Sequence, residues 1–243
     1  MAELALYHGR IDQALAYLDE CPQIEFGLGN EGLIPWMILR ARIALWQGNL
    51  KDAQSAYETA QRSCQEVDSP FYHSLILEGM GLVKYYQGEY LLAERNLHEA
   101  LLIDDGARSQ LMSNQTRRWI WRDLGDISRQ QDKLDEAMGW YRKSLGLMQW
   151  MGCKPFMPDT IEGIAKVAGI LGQNRRAVRL FAASQAAREW LKIPVPAVNR
   201  PDYDLSLGAI HEALGEADFI SAWEEGKKMT LEQAVEQAME EYE

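Results

Sequence analysis

The chain has 243 residues, 47% hydrophobic and 25% charged, a balance that supports a sizeable buried core and excludes global disorder. Its 36 acidic residues outnumber 25 basic ones, and the formal charge of -11 repels phosphate backbones, so direct nucleic-acid binding is not expected. Cys21, Cys64 and Cys153 are odd in number and far apart, which suggests neither a disulfide framework nor a metal cluster and fits a reducing cytoplasm.

In chain order, the first element is about half a helix ending at Gly9, followed by HGRIDQALAYLDEC (8–21). That pattern returns in QGNLKDAQSAYETA (47–60), QGEYLLAERNLHEA (87–100), QDKLDEAMGWYRKS (131–144) and GQNRRAVRLFAAS (172–184). Each copy places a turn residue, then an alanine, then a bulky side chain four residues on. The alanines are Ala14, Ala53, Ala93, Ala137 and Ala177, spaced by 39, 40, 44 and 40 residues, and such self-similarity marks a repeat architecture. Gly9, Gly48, Gly88 and Gly172, with Asp132 in the fourth copy, are suited to a left-handed turn between two helices. After the turn, Leu134, Ala137, Met138, Tyr141 and Leu145 form one helical stripe, and before it Trp121, Leu124, Gly125 and Ser128 form another. The alanines predict the crossing points of the two helices, with Gly81 and Gly125 facing them from the partner helix. A lone hairpin of this kind cannot bury its apolar stripes, and stacking hairpins solves that.

Further along, Pro194, Pro196 and Pro201 form a stiff link. Asp202 and Asp204 offer N-cap oxygens to a helix carrying Leu205, Leu207, Ile210 and Leu214 that stops at Gly215. Phe219, Ile220 and Trp223 mark another helix ended by Gly226, and Thr230 with Gln233 has capping-box spacing for a last one. The expected fold is an all-α superhelical solenoid of about five antiparallel hairpins over 1–200, the first incomplete, with a C-terminal helical cap over 201–243.

The order Trp121, Leu124, Gly125, then a turn, then Ala137 and Tyr141 resembles a tetratricopeptide repeat. The period departs from the common one of about 34 residues, and Ala41 and Ala165 replace the first-helix glycine. Longer repeats of this sort resemble those ending bacterial signal-transduction ATPases and LuxR-type transcription regulators. The closing RLFAASQAAREWLKIPVPAVNRPDYD and ALGEADFISAWEEGKKMTLEQAVEQA look like the C-terminal end of those regulators. The resemblance implies a non-catalytic sensor or interaction arm with an ATPase module upstream in a longer parent chain, and the half helix before Gly9 suggests a start mid-repeat.

Catalytic and cofactor signals are weak. GLGNEG (27–32) matches a dinucleotide-site pattern but follows a helix, without the strand that such a site needs. HEALL at His98 and HEALG at His211 begin like zinc-protease helices, yet Leu102 and Gly215 stand where the second histidine belongs. RRWIWR (117–122) combines cations with aromatic rings, but overall acidity argues for a protein-contact role instead. No catalytic residue, cofactor or metal is expected, and no apolar run approaches the roughly 20 residues of a membrane helix.

The repeat register places Ile38, Arg42, Trp46, Leu82, Tyr85, Tyr86, Trp119, Arg122, Asp126, Arg129 and Lys166 on the inner face of the stack. Aromatic and arginine side chains together have the composition of a protein interface. All of these except Asp126 are the expected partner-binding residues, for a protein, a peptide or a small inducer. A stand-alone scaffold or adaptor that self-associates through the incomplete first hairpin is the first alternative, and an enzyme whose pocket the sequence does not reveal is the second.

Overall fold

In the computed structural model, residues 2–20, 29–105 and 110–240 are described. Among them the ordered elements are helical, and strands are absent. Contacts divide the chain into two compact units, Met1–Asp123 with Pro196–Val198, and Leu124–Val195 with Asn199–Glu243.

The first unit contains α1 (Ala2–Tyr7), α2 (Ile11–Glu20), α3 (Gly29–Trp46), α4 (Leu50–Val67), α5 (Pro70–Tyr86), α6 (Tyr90–Asp105) and the first part of α7 (Gln110–Gln130). Helices adjacent in sequence pack together: α1 on α2, α3 on α4, α5 on α6, and α4 on α5. Gly48 has φ +79°, and the turn closes with Gly48 N–H donating to the Leu45 carbonyl at 2.9 Å and Asn49 N–H to the Ala44 carbonyl at 2.8 Å. These two bonds satisfy carbonyls that the end of a helix leaves without partners. The same closure recurs after α1, α5, α7 and α9. In the fourth copy Asp132 takes the left-handed position, with φ +61°.

The five repeat alanines are fully buried. A Cβ added at Gly81 would lie 2.9 Å from the Leu97 side chain and 3.3 Å from the Ala93 carbonyl oxygen. Small residues therefore face each other where α5 crosses α6, and the backbones approach closely. The core between α3, α4 and α5 is built from Ile34, Ile38, Ala41, Leu45, Ala53, Tyr57, Ile76 and Val83.

The second unit contains the rest of α7, then α8 (Leu134–Trp150), α9 (Met157–Ile170), α10 (Asn174–Leu191), α11 (Arg200–Leu214), α12 (Glu216–Lys227) and α13 (Leu231–Met239). Its C-terminal helices belong to the same compact body as α8 to α10: α11, α12 and α13 all pack on α10. Residue 200 is accordingly not a boundary between compact units. Thr230 and Gln233 form both halves of the capping box of α13.

Two local expectations are corrected here. Gly226 does not end α12; it lies inside it and is buried, and a Cβ there would come within 2.3 Å of the Arg179 carbonyl oxygen. Asp202 does not cap α11, whose N-cap is Asn199. Its carboxylate instead accepts from Lys166 Nζ at 2.6 Å and from Arg129 Nη2 at 2.9 Å, joining α7, α9 and α11. Both cations are nearly buried, and the carboxylate they share ties α11 to α7 and α9.

Burial alone would raise the Asp202 pKa, but Lys166 and Arg129 outweigh it and hold the carboxyl below its ordinary value. A depressed carboxyl stabilises the fold above its unfolded pKa of about 3.9, and that stability is lost as pH falls through the lower folded value. Asp202→Asn is expected to cost about 1–3 kcal/mol at pH 7 and to flatten the acid limb of stability against pH. Thermal unfolding of both proteins from neutral to acid pH checks this. Parallel curves would show that Asp202 is not the titrating group.

Candidate functional site

A cleft of about 300 Å³ opens within the first unit between α3, α5 and α7. Pro35, Ile38, Leu39 and Arg42 form one wall, at spacings of three and four residues that keep them on one side of α3. Phe71, Tyr72 and Leu75 of α5 form the second wall, and Gln115, Thr116 and Trp119 of α7 form the third.

Arg42 organises the polar side of this cleft. Its guanidinium lies 4.3 Å from the centre of the Trp119 ring, and its Nη2 donates to Glu78 Oε2 at 3.2 Å. The Glu78 side chain is 4% exposed, so the ion pair is shielded from water and strong for its length. Arg118 also approaches the Trp119 ring, at 4.7 Å from its centre. Tyr57 lies fully buried beside the pair: burial raises its phenol well above the ordinary value, Arg42 draws it back, and Glu78 adds to the rise.

Of the expected inner-face residues, the structure brings Ile38, Arg42 and Trp119 together in this cleft. Leu82 and Tyr86 pack against the α3–α5 core, and the Tyr85 ring stands 5.0 Å from Tyr86 and 5.9 Å from Tyr90. Trp46 packs edge-on against Tyr7 at 5.8 Å. Arg122 donates through Nε and Nη2 to Asp123, at 2.8 and 2.5 Å. In the second unit, Arg129 and Lys166 meet at Asp202, and Asp126 accepts from the Tyr141 hydroxyl at 2.7 Å. Arg129 and Lys166 are thus engaged in structural ion pairs.

Sequence reasoning missed Pro35, Leu39, Phe71, Tyr72, Leu75, Gln115 and Thr116. The register that pointed to Trp119 could have found several of them. Trp119 stands six residues before Gly125, Leu75 six before Gly81, and Pro35 six before Ala41. Likewise Tyr72 and Thr116 each stand nine before their glycine. One repeat position of three successive hairpins therefore lines the cleft.

A larger cleft of about 430 Å³ lies between α2, α3 and α4. Arg40 and Asp52 are both exposed among the residues that line it, and Asn49, Ser55 and Thr59 make one side polar. Trp36, on its floor, is fixed by donating its ring N–H to the Leu18 carbonyl at 2.7 Å. The α3–α5–α7 cleft, with three aromatic rings and one balanced cation, is the better ligand site.

Among the described residues, no group of three or more histidine, cysteine, aspartate or glutamate side chains could hold a metal ion. No helix there is long and apolar enough to cross a membrane. Residues 29–32 of the glycine-rich motif open α3, while 27 and 28 lie outside the described residues.

No family model matches the chain. Over 79 residues, 32% of its length, it is 34% identical to proteins of Mycobacterium bovis and Mycobacterium tuberculosis provisionally named as HTH-type transcriptional regulators. That stretch resembles part of a regulator. It spans 9% of those relatives' length. The fold is similar to the crystal structure of BtubC (BKLC) from P. vanneervenii, with a TM-score of 0.57 and 17% identity, covering 96% of this chain and 92% of that one. At that identity the likeness concerns the helical fold.

Proposed function

We propose that this chain is a non-catalytic binding module of tetratricopeptide type, a helical solenoid serving as the sensor arm of a cytoplasmic transcription regulator. The α3–α5–α7 cleft receives the ligand or partner. The observation that carries this reading is the cleft itself: three successive first helices present aromatic and aliphatic side chains around one ion-paired arginine. The sequence similarity to mycobacterial regulators supports the regulatory setting.

In a parent chain with an ATPase module upstream, occupancy of the cleft favours one arrangement of that module. The coupling equals the difference in ligand affinity between the two arrangements. DNA contact belongs to another part of such a parent, consistent with this chain's charge of -11.

The test passes a source-cell extract over immobilised wild type and a Leu75→Arg variant, with retained proteins and small molecules read by mass spectrometry. Leu75 is half-buried on the cleft wall, so arginine there obstructs the cleft while its long side chain still reaches solvent. Species held by wild type and released by the variant, at equal helical content by circular dichroism, are expected. Identical retention by both proteins removes the cleft as the binding site.

A further inference from the structure

Resting on the reading of the α3–α5–α7 cleft as the binding site, we infer that it takes an uncharged aromatic compound of one or two rings rather than an anion. Arg42 is the one charged residue among those lining it, and that charge is balanced by Glu78 at 3.2 Å. A ligand carboxylate or sulfonate drawn to Arg42 would compete with Glu78, leaving a buried carboxylate without its counter-charge. A cationic ligand would meet the Arg42 guanidinium instead. A neutral ligand leaves the ion pair intact and is the species the electrostatics admit.

The aromatic preference follows from the walls. Phe71 and Tyr72 lie 5.4 Å apart at 52°, and Trp119 closes the opposite side. Rings at such angles present both faces and edges, which suit another ring packed edge-on or offset. Ile38, Leu39 and Leu75 supply apolar contact around them. The Gln115 side chain is exposed beside the opening and can hydrogen-bond a hydroxyl or carbonyl on such a ring. A volume of about 300 Å³ stands at the small end of ligand sites, which limits the compound to one or two rings.

Two dyes sharing one two-ring skeleton test this: neutral 1-(dimethylamino)naphthalene and its sulfonated counterpart, 5-(dimethylamino)naphthalene-1-sulfonate. Fluorescence titration of the full chain is expected to show saturable binding of the neutral dye, about tenfold tighter than the sulfonate. Leu75→Arg is expected to abolish that binding at unchanged helical content. Should that variant lose helix, the milder Leu75→Gln is used, with at least a partial loss expected.

If the sulfonate binds as tightly as the neutral dye and depends equally on Leu75, the charge inference falls while the cleft reading stands. If neither dye saturates, the aromatic-ligand inference falls and the cleft reading is decided by the extract comparison; if both dyes bind but ignore the Leu75 variants, both readings fall.

Discussion

Arg188→Met is expected to destabilise the second unit by about 3–5 kcal/mol, the usual consequence of removing one partner from a buried ion pair. Arg188 Nε donates to Glu162 Oε1 at 2.7 Å, and Nη2 donates to Glu162 Oε2 at 3.1 Å and to Asp159 Oδ1 at 2.5 Å. Nη1 reaches the Pro194 carbonyl at 3.2 Å, and Ser184 Oγ donates to Glu162 Oε1 at 2.6 Å. Arg188 is 5% exposed and Glu162 4%. Burial alone would lower the guanidinium pKa, but Glu162 and Asp159 outweigh it and raise it, so the arginine stays charged across the working range of pH.

Removing the cation leaves Glu162 desolvated and uncompensated, and releases the Pro194 carbonyl that ties the proline link to α10. Methionine keeps the stem's packing, so the loss reports charge and hydrogen bonds rather than volume. Urea denaturation at constant m-value measures it. The double variant Arg188→Met/Glu162→Leu is expected to recover much of the loss, because the stranded carboxylate is gone too. Equal stability of the single and double variants would show that Glu162 is not the group left uncompensated.

Tyr141→Ala is expected to cost a further about 3–5 kcal/mol on wild type, typical of emptying a large aromatic site. The ring is fully buried between two glycines: a Cβ added at Gly125 would lie 2.6 Å from it, and one at Gly163 would lie 2.5 Å from it. Its hydroxyl donates to Asp126 at 2.7 Å. Tyr141→Phe removes only that bond and is expected to cost about 1 kcal/mol. Gly163→Val crowds the same space and is expected to cost about 1–3 kcal/mol by overpacking. The double variant Tyr141→Ala/Gly163→Val is expected to lose less than the two single losses added together, because the valine then fills part of the vacated volume. Strict additivity in denaturation would contradict the wedge geometry.

The wedge shows where sequence reading stops. Tyr57 and Tyr141 stand in equivalent repeat positions, four residues after Ala53 and Ala137. Tyr57 lies against Gly79 as Tyr141 lies against Gly163, and each glycine follows its tyrosine by 22 residues. A separation of this kind joins one hairpin to the next, so neither pair is visible in a helical stripe. Gly81 and Gly125 were legible because they mirror an alanine within their own hairpin.

The binding cleft divides in the same way. Periodicity pointed to Ile38, Arg42 and Trp119, each on a first helix with a recognisable register. Leu39, Phe71 and Gln115 carry no such mark, and only the packing of three helices brings them to one cleft.

By itself, the sequence determined what depends on neighbours within a turn or two: helical stripes, crossing alanines, left-handed turn residues at Gly48 and Asp132, and the Thr230–Gln233 cap. These follow from the 3.6-residue period and from local backbone sterics. The tertiary structure alone decided what charged side chains do. Asp202 read as a helix cap and nothing in the sequence singled out Glu162 or Arg188, because a charge in a sequence carries no mark of burial. Helices distant in the chain enclose them with their counter-charges, and that pairing lets them leave water.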